Sequence, residues 1–365
     1  MTAADPNPEY WQEYGQFQKV KHDLIKGYLS GWFPKLGTWA GRVLYVDTHA
    51  GRGRHGSGET GSPLVALDTL LHHSYCDKLL EKSEVGFFFI EQDPTNLKAL
   101  NDELDEIGNL PDRVHVETSE GNAYDVLSSV VQSLRESRTP MAPAFIFVDP
   151  YGFKVPGDLL GQLMGAGRVE LFINVRWREL NMAITQQRDS RHGLAATLDV
   201  VFAGDDWRRI EGDTPHERMH QAVELLARKI GARWATYIRM TSGGAATRYL
   251  LLHLTNHDEG RDLMKECMWK VAPDGGFEVL QRDDPRQPFL ITPSPNLEPL
   301  REWLLERLER RPHTREELDR ELRPTPWPPS HLRKLAGQLR KERRVDFDAA
   351  SGTYSLPSNR RLFSL

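Results

Sequence analysis

Residues 42–63 read RVLYVDTHAGRGRHGSGETGSP. An apolar run stops at Asp47, and glycines at 51, 53, 56, 58 and 61 follow, interleaved with Arg52, Arg54 and His55. Glycine in a connection costs conformational entropy, so its repeated use implies a backbone that has to stay bare. The apolar run RVLYVD (42–47) is one of five; GFFFIE (86–91), RVHVE (113–117), AFIFVD (144–149) and VELFIN (169–174) are the others. Short runs without polar alternation suit strands buried on both faces of a parallel sheet. Between them, Ser62-Pro63 and Asp93-Pro94 each place a capping residue before a proline at the first helical position. Five such units predict a doubly wound α/β sheet of the Rossmann-like type.

After Asn174 the pattern changes. Helical stretches (177–203 and 215–231) lead to RWATYIRM and TRYLLLHLTN, two strand-like runs around Gly243-Gly244 that predict an antiparallel hairpin. A mostly parallel sheet ending in such a hairpin is the pattern of class I methyltransferases. Before the sheet, residues 1–40 contain FQKVKHDLIKGYLSGWFPKL, helical by spacing and expected to pack against the sheet edge. The methyltransferase-like domain is expected over 41–282. A proline-rich linker (283–296) follows, then a small domain over 297–365. There, LREWLLERLER, TREELDREL and SHLRKLAGQLRKE are helix candidates, Thr314 and Glu317 form a capping box, and Ser351-Gly352 centres a hairpin. Three helices and a hairpin predict a winged helix.

Composition narrows the class. Hydrophobic residues make up 39% and charged residues 27%, the balance of an ordinary folded protein. No run approaches the roughly 18 apolar residues of a membrane span. The polar start MTAADPNPEYWQEY does not read as a signal peptide. Two cysteines, Cys76 and Cys267, lack metal-ligand spacing and favour a reducing compartment, so the cytoplasm is the expectation. His253 and His257 have no third ligand nearby, and no metal is expected. The net charge of −5 is unevenly spread. Residues 297–365 carry 15 Lys/Arg against 11 Asp/Glu, leaving 32 against 41 elsewhere, so a basic module joins an acidic body.

The glycine loop has two parses. Gly51, Gly53 and Gly56 satisfy the dinucleotide pattern G-x-G-x-x-G, but that pattern needs a helix opening inside the glycines, and the next helix start is Ser62-Pro63. The second parse is D-x-x-x-G-x-G, Asp47 to Gly53, the loop by which methyltransferases cradle the methionine part of S-adenosylmethionine. Its candidate cofactor contacts are Asp47, Thr48, His49, Gly51 and Gly53. A plain glycine-rich connection remains the alternative. Glu91, ending the second strand, offers two acceptor oxygens to a ribose diol. Asn122 and Ala123, after the third strand, are placed to meet an adenine edge, although asparagine there also caps helices. In FIFVDPYGF, Asp149, Pro150 and Tyr151 resemble the [DNS]-P-P-[YFW] motif of amino-methyltransferases. In that motif a polar side chain accepts from the target amine and an aromatic ring stacks on an extruded base. Gly152 follows and the second proline is missing, so a tight structural turn is the other reading.

Taken together, YVDTHAGRGRHGSGETGSP, DPYGF and TNHDEGRDLMKECMWKV resemble the three-Cys-motif partner proteins. The resemblance covers residues 10 to 365. It implies a methyltransferase-like fold, S-adenosylmethionine as cofactor and a separate radical-SAM-like three-Cys-motif protein as partner. This chain departs from the family's loop at His49 and Arg52. Arg52 and Arg54 are candidates for a nucleic-acid phosphate, as are Arg333, Lys334, Gln338, Lys341 and Arg344 on the third helix of the small domain. Two functions follow: a methyltransferase acting on nucleic acid or a component of it, or a non-catalytic nucleic-acid- or protein-binding factor on the same scaffold.

Overall fold

The computed structural model describes residues 15–187, 193–242, 246–273, 277–280 and 295–357. Its main sheet comprises β1 (Arg42–Asp47), β2 (Glu84–Glu91), β3 (Val114–Glu120), β4 (Met141–Val148), β5 (Gly167–Val175), β6 (Trp234–Ser242), β7 (Ala246–Thr255) and β8 (Glu278–Leu280). The spatial order is β3-β2-β1-β4-β5-β7-β6-β8. Strands β1 to β5 run parallel, and β7 enters antiparallel between β5 and β6. This is the class I methyltransferase sheet, with the order reversing between β1 and β4. The turn of the expected hairpin and most of the proline-rich linker lie outside the described residues. Strand β8, three residues pairing parallel with β6, was not anticipated from so short a run.

The helices are α1 (Gln16–Gly37), α2 (Ser62–Leu71), α3 (Cys76–Leu80), α4 (Pro94–Ile107), α5 (Ala123–Ser137), α6 (Gly157–Gly165), α7 (Trp177–Gln187), α8 (Ala195–Val201), α9 (Pro215–Ile230) and α10 (Asp258–Val271). Asp93 caps α4 as expected, accepting from Thr95 N and Asn96 N at 2.8 and 3.0 Å. Ser62 does not cap α2: Gly61 holds the cap position, and the Ser62 hydroxyl bonds Asp47 instead.

Alternation along the strands splits the core in two. Ala144, Ile146 and Val148 face α5 to α9, while Phe145 and Phe147 face α1 and its neighbours. Helix α1 lies across the middle of that second face rather than against the sheet edge. Its Tyr28 stacks on Phe145 with centroids 5.0 Å apart, and Leu24, Ile25, Leu29 and Phe33 are fully buried. The aromatic strand residues make this face broad and apolar enough to require a long covering helix.

A buried polar network centred on Glu170 sits inside this layer. Glu170 of β5 is 4% exposed and accepts from Tyr28 Oη, from Trp32 Nε1 at 3.0 Å and from His253 Nε2 at 3.0 Å. Burial opposes its ionisation, but these partners outweigh it and hold the carboxyl below its usual range. A Cβ at Gly260 would come within 2.6 Å of Glu170 Oε2, so α10 can start here only on a residue without a side chain.

Residues from 295 onward form α11 (Glu298–Arg310), α12 (Arg315–Leu322) and α13 (Pro329–Lys341) with a small antiparallel sheet of β9 (His313–Thr314), β10 (Asp346–Asp348) and β11 (Thr353–Ser355). Leu300, Leu304, Leu318, Leu322, Leu335 and Leu339 fill its core. Thr314 and Glu317 make the capping box in full. The unit docks on α10: Arg261 Nε reaches Arg323 O (2.6 Å), Lys265 Nζ reaches Trp327 O (2.8 Å), and Trp269 Nε1 reaches Pro326 O (2.9 Å).

Glu170→Ala is expected to lower unfolding free energy by about 3–5 kcal/mol, because three buried donors lose their shared acceptor. Urea denaturation followed by tryptophan fluorescence checks this, and a loss within about 0.5 kcal/mol, the surface-substitution range, would show the network to be dispensable.

Candidate functional site

Open α/β sheets bind ligands in the crevice beyond the carboxyl ends of their strands, where the strand order reverses. A cleft lies there, walled by Gly51, Glu91, Asp149, Asn174, Lys21 and Tyr249 among others. The loop after β1 is what keeps it open. Gly51 and Gly53 adopt φ of 67° and 83°, the left-handed region that favours glycine. Gly51 N–H donates to Glu91 Oε2 at 2.7 Å, and Asp93 N–H donates to Oε1 at 2.8 Å. Glu91 is thereby fixed at the mouth of β2 with lone pairs left over on both oxygens. Burial raises its pKa, partly offset by these backbone donors.

The predicted cofactor residues separate into two groups. Thr48, His49, Gly51 and Glu91 cluster at the ends of β1 and β2; of these His49, Gly51 and Glu91 line the cleft, and Thr48 Oγ1 holds His49 Nδ1 at 2.7 Å. Asp47 is fully buried beneath the loop, hydrogen-bonded to His49 N–H (3.3 Å) and Ser62, and it does not line the cleft. Burial pushes its carboxyl up to about 7. Gly53 lies under Leu100, whose Cδ1 a Cβ would meet at 3.1 Å, so its role is close packing. Asn122 and Ala123 open α5: Asn122 Oδ1 accepts from Tyr124 N (3.0 Å) and Asp125 N (3.4 Å) as a helix cap, and neither residue lines the cleft. Of the loop cations, Arg54 is engaged by Glu103 (2.9 Å) and Gly58 O (2.9 Å), while Arg52 is exposed.

Asp149, Pro150 and Tyr151 follow β4 and line the same cleft. Tyr151 is 48% exposed at the rim. Asp149 is engaged by two residues that the motif did not reveal. Lys21 of α1 forms an ion pair with Asp149 Oδ2, and Asn174 Nδ2 of β5 donates to Oδ1 at 2.6 Å. Burial alone would raise the Asp149 pKa, but Lys21 and Asn174 reverse this and hold it below the usual range. Around it stand three imidazoles, His22 and His55 buried and His49 half-buried. Burial lowers His22 to about 3, and His49 and His55 each to about 4, so all three are neutral at neutral pH. The Lys21–Asp149 ion pair is thus flanked by imidazoles that stay neutral.

Sequence reasoning missed Lys21, His22, Asn174 and Arg176. A signal existed for two of them. Lys21 lies four residues before Ile25 and seven before Tyr28, inside the apolar stripe of α1, and Asn174 ends an otherwise apolar buried strand. Polar residues at such positions have to meet partners.

Among the described residues no group of three or more His, Cys, Asp or Glu could hold a metal ion, and no helix is long and apolar enough to cross a membrane. No family model and no curated protein matches the sequence. Solved structures similar to the chain include protein LPL1258 of Legionella pneumophila, at 12% identity over 64% of this chain and 85% of that one, TM-score 0.36. A Staphylococcus aureus protein, nominally a caffeoyl-CoA O-methyltransferase, shares 12% identity over 65% and 83%, TM-score 0.30. P. horikoshii TYW2, in complex with MeSAdo, shares 14% over 59% and 57%, TM-score 0.26. At these scores the likenesses add nothing to what the strand order already shows.

Asp47→Asn isolates the buried carboxyl. In the wild type the unfolded Asp47 ionises near 3.8 while the folded one stays protonated to about 7, so its contribution to stability falls as pH rises through that interval. The stability gained by Asp47→Asn is therefore expected to grow between about pH 4 and 7. Paired denaturation curves of variant and wild type measure it, and a gain that shrinks with rising pH contradicts a neutral Asp47.

Proposed function

We propose that this chain is an S-adenosylmethionine-dependent methyltransferase acting on an amino group of nucleic acid or a nucleic-acid component. The observation that carries the reading is the placing of Glu91 and Asp149 on one cleft, beyond the strands on either side of β1, with the bare Gly51 backbone beside them. The cleft residues fit the cofactor: Glu91 retains acceptor capacity for a ribose diol, and Gly51 leaves room for close approach. Glu91, Gly51 and His49 would hold it. When bound it supplies a methyl group made electrophilic by a sulfonium. The protein's part is positioning and exclusion of water. Asp149, ionised and acceptor-only, takes a hydrogen bond from the target amine and orients the nitrogen lone pair, while Tyr151 at the rim holds the ring.

The unit from 297 to 365 is read as a winged helix whose α13 contacts phosphate. Lys334, Gln338 and Lys341 are exposed; Arg333 is exposed and 3.5 Å from Asp319, and Arg344 is half-buried. Cations suit phosphates and an amide suits base edges. The radical-SAM-like protein implied by the family resemblance is the partner to test if nucleic acid fails.

Two measurements test the reading. In calorimetry with S-adenosylmethionine and S-adenosylhomocysteine, the wild type binds both, and Glu91→Ala weakens binding by roughly 1.5–3 kcal/mol. Asp149→Ala leaves that binding nearly intact and abolishes methyl transfer. Failure of the folded wild type to bind either compound sinks the proposal. Nucleic-acid binding should fall steeply with salt, with a slope near −0.9 per phosphate on duplex DNA. Arg333→Ala with Lys334→Ala should flatten it by about two contacts. A slope unchanged in the double variant removes α13 from the interface.

A further inference from the structure

Asp149 is held as a carboxylate by Lys21, and a carboxylate only accepts. Asn174 must therefore turn its amide nitrogen toward Asp149, at 2.6 Å, which fixes the opposite direction for its oxygen. That Oδ1 is buried and meets no donor among the described residues, on a side chain whose residue is 7% exposed and lines the cleft. An unmade buried acceptor is costly, and in a native fold such a group calls for an explanation. Two residues on, just past the end of β5, Arg176 lines the same cleft. Its Nε is likewise buried without a partner among the described residues, and its guanidinium lies 5.8 Å from the Tyr249 ring centroid. Phe17 meets Tyr249 edge-on at 5.6 Å, giving this wall a flat aromatic surface.

The cleft thus presents two adjacent acceptors, Asp149 and Asn174 Oδ1, a donor-only group, Arg176, and a planar wall; its other cation, Lys21, is engaged by Asp149. We propose that Asn174 and Arg176 are specificity residues that select a planar heterocycle bearing an amino group beside a ring acceptor, as in adenine or cytosine. This rests on the methyltransferase reading above and names its substrate class. The two N–H bonds of such an amino group satisfy Asp149 and Asn174 together, and the neighbouring ring nitrogen accepts from Arg176. An oxo group at the same place, as in hypoxanthine or uracil, sets an acceptor against two acceptors and is rejected. In those bases the neighbouring ring nitrogen also carries a hydrogen, which sets a donor against Arg176, a group that can only donate.

The test uses the full chain and short single-stranded oligonucleotides that differ at one base: adenine, cytosine, hypoxanthine or uracil. Fluorescence anisotropy with S-adenosylhomocysteine present gives their relative affinities. Contacts to the backbone are common to the series and cancel in the ratio. The amino bases are expected to bind about tenfold or more tightly than their oxo counterparts, in keeping with sites that leave a buried polar group unpaired on the wrong ligand. Asn174→Ala and Arg176→Leu should each bring the ratio toward one. Arg176→Leu, at a less buried position, keeps the test valid if Asn174→Ala does not fold. Equal binding of all four by the wild type, absence of binding by any, or an undiminished ratio in the variants overturns the proposal. A separate calorimetric titration with S-adenosylhomocysteine distinguishes the two readings. Cofactor binding without base preference removes only this pair, whereas base preference without cofactor binding removes only the methyltransferase reading.

Discussion

The buried ion pair between Lys21 and Asp149 ties the covering helix to the cleft. Its partners are 128 residues apart in sequence, one on α1 and one at the mouth of β4. Taking two charges out of water is costly, and such a pair persists only where further hydrogen bonds complete it. Asn174 supplies one of them. At the other end of the same helix, Tyr28 and Trp32 close on Glu170, four residues before Asn174 on β5. One helix is therefore pinned by polar contacts at two points, to Asp149 beyond β4 and to Glu170 on β5, with an aromatic layer between. The segment before the sheet is part of the site's wall, and the charge state of Asp149 depends on it.

Much of this was readable in the residues, and the failures have a common cause. The apolar runs located the five parallel strands because strands buried on both faces leave a signal that needs no partner. The Asp93-Pro94 start and the Thr314/Glu317 box are local chemistry and were recovered in full. Glu91 and Asp149 were legible because they end strands, where a carboxylate stands out. What was illegible depended on contacts distant in sequence. Ser62 looks like a cap but bonds Asp47, and Asn122, offered for an adenine, closes a helix instead. Helix α1 was expected at the sheet edge, since periodicity shows that a helix has an apolar face without showing which surface receives it. Lys21 stood out as a cation inside that apolar face, but its partner Asp149, distant in sequence, was invisible for the same reason.

Three carboxylates at the strand ends show how environment divides one chemistry into several. Asp47, buried beneath the loop, is pushed up to about 7; Glu91, fixed by backbone donors at the cleft wall, is raised; Asp149, paired with a cation, is lowered. Desolvation acts on all three in the same direction, so the differences come from what each one meets. Asp47 meets weak donors and has mainly a structural role under the glycine loop. Asp149 meets a full charge and is the one carboxylate of the three held reliably as an acceptor. The neutral imidazoles around it leave that charge unscreened by protonation over the neutral range.

The way the C-terminal unit is attached bears on how its binding behaves. Arg261, Lys265 and Trp269 all reach backbone carbonyls of the 323–327 segment, and Trp269 stacks on Trp327 at 4.6 Å. Lys265 is fully buried there, and burial lowers its pKa to about 8. Contacts between buried donors and carbonyl dipoles are screened by salt far less than pairs of exposed charges. Salt therefore leaves the seam in place while it weakens phosphate contacts made by exposed cations. A nucleic acid held by Lys334 and Lys341 would meet a surface whose distance from the cleft is set by α10, not by a loose tether. On α13 it is His331 that packs against Trp269, while Lys334 and Lys341 are exposed, so those two side chains can vary with the ligand without loosening the joint.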